Sequence, residues 1–122
     1  MAYMTYKLYI SQPMRNKSDE QIEAARQRAI QKAKAYVESR LGIPEGEWKI
    51  EVINSFFKGA PHDAKPLWLL GRALQAMSSA DVVFFVSGWA TARGCRIENL
   101  AAHEYLDKSG VVIIEEPYRL EP

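Results

Sequence analysis

The sequence predicts an α/β fold: a four-stranded parallel sheet with three main helices. Two observations predict it. Short apolar segments alternate with amphipathic helical stretches along the whole chain, and two of those segments, Asp81 to Val86 and Val111 to Ile114, are nearly unbroken apolar runs of strand length. Strands of a parallel sheet covered on both faces read this way.

Each element has its own signal. Lys7 to Ile10 is apolar and β-prone, and Ser11-Gln12-Pro13 stops it. Ser18 to Gln21 has the form of a capping box. From there Ile22, Ala25, Ala29, Ala33, Tyr36, Val37 and Leu41 recur at spacings of three and four, which predicts a helix over 18–41, about 36 Å long. Gly42 and Pro44 end it. Trp48 to Ile53 alternates and reads as an edge strand. Residues 54–65 form a loop rich in turn formers. Pro66 suits the first turn of a second helix, whose expected buried stripe is Leu67, Leu70, Leu74 and Met77. Gly71 inside that helix predicts close packing. The apolar run Asp81 to Val86 follows. Ser87 to Gly94 is a loop bounded by glycines. Ile97, Leu100 and Ala101 then open a third helix, running to about Lys108. Gly110 breaks it, and Val111 to Ile114 is expected to be a fully buried last strand.

Strand–helix alternation implies right-handed crossovers. The expected strand order is 2-1-3-4, a Rossmann/flavodoxin-like three-layer sandwich with the Trp48 strand at one edge. Winding reverses between strands one and three, so a ligand is expected beyond their carboxyl ends. The loops there are Ser11 to Lys17 and Ser87 to Gly94.

Composition narrows the function. A chain of 122 residues suits a single domain, 1–122. Sixteen basic residues against fifteen acidic ones give a net charge of +1, which argues against a nucleic-acid partner. A lone cysteine excludes an internal disulfide and a cysteine-based zinc site. His62 and His103 show no metal spacing, so neither a metal nor a cofactor is expected. No apolar run approaches the ~20 residues of a membrane span, and Met1 to Tyr6 lacks a signal-peptide pattern. The expectation is a cytoplasmic protein with no membrane partner.

The two loops carry the candidate site. Ser11, Gln12, Pro13, Met14 and Arg15 offer a hydroxyl, an amide and a guanidinium before a helix, suited to an anion or a base edge, or else form a plain turn. Ser87 and Gly88 open the second loop. Gly88 and Gly94 allow close backbone approach. Trp89 could stack on a flat ring or pack on its own domain. Arg93 and Arg96 could meet an anion or be solvated charge. Cys95, at a helix start near arginines, could be an acidified thiol or a small buried apolar residue. Glu98 opens onto the same crevice, as a functional carboxylate or as a stabiliser of the helix start.

Taken together, Tyr9 to Arg15, Ala80 to Phe85, Gly88-Trp89, Arg93 to Glu98, Ala101 and Val111 to Ile113 resemble the nucleoside 2-deoxyribosyltransferase-like superfamily, in particular its small bacterial and phage members. The most specific part is Gly94 to Glu98. The resemblance implies that Glu98 is a nucleophile attacking the anomeric carbon of a nucleoside or nucleotide, in transfer or hydrolysis at the N-glycosidic bond. It also implies a homo-oligomer, dimeric or higher, for which Phe56, Phe57 and Trp89 would be exposed contact aromatics. The sequence departs from the transferases where they carry acids. Ala92 and Arg93 precede the glycine, Leu70-Gly71-Arg72 stands where an aspartate is expected, and Asp63 and Asp81 are the nearest carboxylates. Arginine in place of acid favours a phosphorylated ligand. It also supports the alternative, a non-catalytic phage-type protein that binds or sequesters a nucleotide signal in the same pocket. A third reading is an interaction module with a vestigial pocket.

Overall fold

In the computed structural model, residues 4–54 and 65–117 are described. The chain runs β1 (Met4–Ser11), α1 (Asp19–Arg40), β2 (Trp48–Val52), α2 (Pro66–Met77), β3 (Val82–Phe85), α3 (Arg93–Ala101) and β4 (Val112–Glu115). All strand pairs are parallel, in the order β2-β1-β3-β4. The α/β fold and the strand order are those the sequence predicts.

Strand alternation divides the core into two layers. Leu8, Ile10, Val82 and Phe84 point to one face, where Ala29, Ala33 and Val37 of α1 and Trp48 close over them. Tyr9, Val83 and Phe85 point to the other, against Met77 of α2 and Ala102 just beyond α3. The small residues on α1 let the long helix lie close to the sheet. Its capping box is formed: the Gln21 amide N–H donates to Ser18 Oγ at 3.1 Å, and the Ser18 N–H to Gln21 Oε1 at 2.8 Å. Gly42, at φ +68°, takes the left-handed turn that ends α1.

Several expectations are corrected. β1 begins at Met4, three residues before Lys7, because β2 pairs with it from Met4 opposite Trp48. β4 is half-buried rather than fully buried, because the strand order leaves it at an edge with a neighbour on one side only. Leu41 lies past the end of α1 and is exposed. Gly71 has open space around its Cα, so no close packing requires it.

The stripes of the second and third helices differ most. Met77 is buried, Leu70 and Leu74 are half-buried, and Leu67 is 77% exposed. On α3 the inward residues are Cys95 and Glu98, followed by Ala102, whereas Ile97 and Leu100 are exposed. The spacing i, i+3, i+7 is that of one helix face. Here it places a glutamate in a core position. Past Ala101 the chain continues through a π turn at Ala102–Leu106 and a 3₁₀ turn at Asp107–Ser109.

Candidate functional site

Ser11 pairs with Phe85 at the carboxyl end of the sheet, where the chain leaves β1 and β3 on diverging paths. A cavity of about 920 Å³ opens there, walled by the end of β1, by α2 and by the first turns of α3. The sheet contributes Tyr9 and Ser11, which share a face because they are two apart on a strand. The helices contribute mostly apolar side chains, among them Leu67, Leu69, Leu70, Ala73 and Ile97. Leu67 and Ile97, displaced from the core, therefore form cavity wall.

Glu98 lies at the centre of this geometry and is 7% exposed. The Tyr9 hydroxyl donates to its Oε1 at 2.6 Å, and the Ser11 hydroxyl to its Oε2 at 2.7 Å. These are lengths of O–H···O⁻ bonds. Each oxygen keeps a further lone pair. Burial pushes the Glu98 carboxyl above the usual carboxylate range, against the opposing pull of Tyr9 and Ser11. Burial likewise raises the Tyr9 phenol, as does the charge of Glu98 beside it, so Tyr9 remains a donor.

The sequence-predicted site residues divide into groups. Ser11, Gln12, Met14, Arg93, Gly94 and Glu98 line the large cavity together. Gln12 Nε2 also donates to the Ile22 carbonyl at 3.1 Å, which ties the loop to α1. Pro13 and Ser87 belong instead to a smaller cavity, about 220 Å³, on the α1 side of the sheet. Gly88 lines neither cavity. It adopts φ +93°, and a Cβ there would lie 3.5 Å from Pro13 Cγ, so glycine is required for the turn rather than for ligand approach. Arg15 and Arg96 are exposed and line neither cavity.

Two candidates change character. Trp89 packs on Phe85, with ring centroids 5.7 Å apart, and lines neither cavity, so it is neither the expected stacking platform nor an exposed contact aromatic. Its half-burial follows from the 3₁₀ turn Trp89–Thr91, which folds the ring onto the sheet. Cys95 is buried, and burial raises its thiol to about 11, with a lowering by Ser11 and a raising by the charge of Glu98. The acidified-thiol reading is thereby overturned. Phe56, Phe57, His62 and Asp63 lie outside the described residues. Asp81 accepts from the Lys7 N–H at 2.8 Å and is a strand-edge brace, away from the cavity. Among the described residues no group of three His, Cys, Asp or Glu side chains could hold a metal, and no helix is long and apolar enough to cross a membrane.

Comparison with protein-family models, with curated proteins and with solved structures finds no match to this chain.

Sequence reasoning passed over Tyr9, although strand alternation from Ser11 points to it. It also passed over a second buried carboxylate, Glu116, which follows β4 and is 4% exposed. Arg28 forks onto it at 2.8 and 2.9 Å, Lys32 Nζ donates at 2.6 Å, and the Ser87 N–H at 2.9 Å. Burial alone would raise Glu116, but these donors outweigh it and hold the carboxyl at about 2. This cluster fixes the start of the loop after β3 against α1.

Proposed function

We propose that the large cavity binds a nucleoside or nucleotide and that Glu98 cleaves or transfers at its N-glycosidic bond. One observation carries the reading: a buried carboxylate, held through both oxygens by neutral hydroxyls, faces a largely apolar cavity at the switch point of a parallel sheet. In the step proposed, a Glu98 oxygen attacks the anomeric carbon. The bond from that carbon to the base nitrogen breaks, its electron pair leaves with the base, and the base takes a proton from water. Water or a second base then displaces the carboxylate, with net retention. Only the ionised carboxylate attacks. Because burial raises Glu98, activity should climb with pH through a value above the ordinary carboxylate range.

The resemblance of Gly94 to Glu98 to the deoxyribosyltransferases supports the same assignment. It also supports a cytoplasmic homo-oligomer, with the exposed side chains of Leu67, Leu100 and Tyr105 as apolar surface for a like subunit. A second reading rests on a separate observation. Among the described residues lining the cavity, Glu98 is the only carboxylate. Retaining glycosidases use two. A protein that binds or sequesters a nucleotide without cleaving it needs only the cavity.

Mass spectrometry of the protein incubated with nucleosides and nucleotides separates the two. Free base, or a glycosyl adduct on Glu98, supports the catalytic reading, and Glu98→Gln should abolish both. A stoichiometric ligand released unchanged supports the binder and overturns catalysis.

A further inference from the structure

A buried carboxylate is costly unless a cation pairs with it. Glu98 is 7% exposed, and its two oxygens are met by the hydroxyls of Tyr9 and Ser11, both neutral donors. The ion pairs among the described residues fall elsewhere, Arg28 and Lys32 on Glu116 and His103 on Glu115. The hydroxyls therefore orient the carboxylate and leave its negative charge facing a largely apolar cavity. Charge in such surroundings is weakly screened, so a cation seated against it is attracted more strongly than in water. Lys65 and Arg93 also line the cavity, but both are exposed, where solvent screens them. The buried charge of the wall is negative.

The same wall bears on how a base departs. A neutral base leaves its sugar as an anion unless a group protonates it, and a well-placed general acid contributes roughly 10²–10⁴ in rate. Glu98 must be ionised to attack, so it cannot supply that proton in the same step. The Tyr9 proton is committed to Glu98 Oε1, and an arginine does not give one up. A base that already carries a positive charge needs no proton: it leaves neutral.

We propose that the ligand of this cavity is an N-glycoside of a cationic heteroaromatic base, a pyridinium or an N7-alkylated purine, with its charged ring held by the field of Glu98. The proposal rests on the reading that Glu98 faces the glycosidic bond, and it deepens that reading by naming the class of base. In the step, a Glu98 oxygen bonds to the anomeric carbon as the carbon–nitrogen bond breaks, and the ring nitrogen recovers the electron pair. Water then displaces the carboxylate and gives a proton to solvent. Each turnover yields a free sugar, a neutral base and a proton.

The test uses pairs that differ in the charge of the ring: nicotinamide riboside with its reduced form, and 7-methylguanosine with guanosine. Base release above the enzyme-free rate is followed by mass spectrometry for the wild type, Glu98→Gln and Lys65→Gln, with circular dichroism to check the fold. Without any turnover, a carbon-13 titration of the Glu98 carboxyl is run with 1-methylnicotinamide, a cation that has no glycosidic bond, and with neutral nicotinamide. Burial holds that carboxyl above its ordinary range, and a cation beside it pulls it back down. The expected result is a cationic base released at least roughly hundredfold faster than its neutral partner, lost in Glu98→Gln. Equally supportive is a midpoint that only the cation lowers, by about one pH unit for each tenfold preference for the ionised form. Neutral bases released as readily as cationic ones would overturn the proposal while leaving Glu98 catalysis standing. Release that Lys65→Gln abolishes would make that lysine the general acid and overturn it too. A midpoint lowered by the cation with no base released from any glycoside supports the proposed ligand and removes the catalytic reading. No release and an unmoved midpoint removes both.

Discussion

The hydroxyl of Tyr9 offers the sharpest test of how the cavity holds its carboxylate. Tyr9→Phe keeps the ring in its core layer and deletes one donor to Glu98 Oε1. A hydrogen bond to an ionised group is worth about 1.5–3 kcal/mol, and one between neutral groups about 0.5–1.5 kcal/mol. The cost of the substitution therefore depends on the charge of Glu98. That carboxyl is raised above its ordinary 4.5, first by burial. A raised acid favours the folded state fully below the unfolded value, and the benefit is lost as pH rises through the folded value. Deleting a donor that serves the ionised form raises the group further and deepens that loss. Urea unfolding at about pH 4, where Glu98 is protonated, should give a destabilisation near 1 kcal/mol, rising to about 2–3 kcal/mol at a pH above the midpoint at which Glu98 ionises in the folded protein. The Glu116 cluster, with its carboxyl at about 2, stays ionised throughout this window and does not confound the comparison. A carbon-13 titration of the Glu98 carboxyl should show its midpoint move up in the variant. Equal destabilisation at the two pH values, or a larger one in acid, would refute the claim that Tyr9 serves an ionised Glu98.

Three further predictions follow from the same geometry. Glu116→Gln removes a carboxylate held at about 2 against an ordinary 4.5, and with Arg28 and Lys32 more than a third exposed the cost should be about 2 kcal/mol near neutral pH. Because the group is lowered, its stabilisation is present above about pH 4.5 and fades toward pH 2. The gap between wild type and variant should close over that range in urea melts. Gly88→Ala forces an L-residue into φ +93°, and chemical denaturation should show a loss of about 1–3 kcal/mol, though the new Cβ meets only Pro13 at an ordinary 3.5 Å. Cys95, raised from 9.0 to about 11, carries about a hundredfold less thiolate than an ordinary cysteine at neutral pH. Iodoacetamide should label the folded protein at least that much more slowly than the urea-unfolded chain.

The sheet was legible because its signals are local. A capping box, a proline at the start of α2 and unbroken apolar runs each follow from neighbouring residues, and alternation with helices then limits the topology. What escaped depends on which face a helix turns inward. Leu67, Ile97 and Leu100 are large apolar residues at helical spacing, so periodicity assigns them to the core. The sheet instead receives Cys95, Glu98 and Ala102, because Tyr9 and Ser11 supply the two donors that let a glutamate enter. A hydrophobic scale counts Glu98 against burial, and only the pairing of β1 with α3 across 87 residues of sequence reverses that. Glu116 was illegible for the same reason. Its partners Arg28 and Lys32 read as the solvated face of α1 until β4 is placed beside them.

The two buried glutamates show how a fold can assign opposite tasks to one residue type. Both lie at the carboxyl end of the sheet, 7% and 4% exposed. Glu116 is met by a guanidinium, an ammonium and a backbone N–H, and its carboxyl falls to about 2. Its charge is fixed at every physiological pH, its lone pairs are used, and it can only hold structure. Glu98 is met by two neutral hydroxyls, which orient its oxygens without cancelling its charge, and burial raises it. Among the described residues no cation pairs with Glu98, and its carboxyl faces the cavity. Replacing Ser11 or Tyr9 by a cation would stabilise the protein in the manner of Glu116 and remove the poise of Glu98 at the same stroke. Neutral donors at this carboxylate, on the wall of a cavity, fit a site arranged for a ligand rather than for maximal stability.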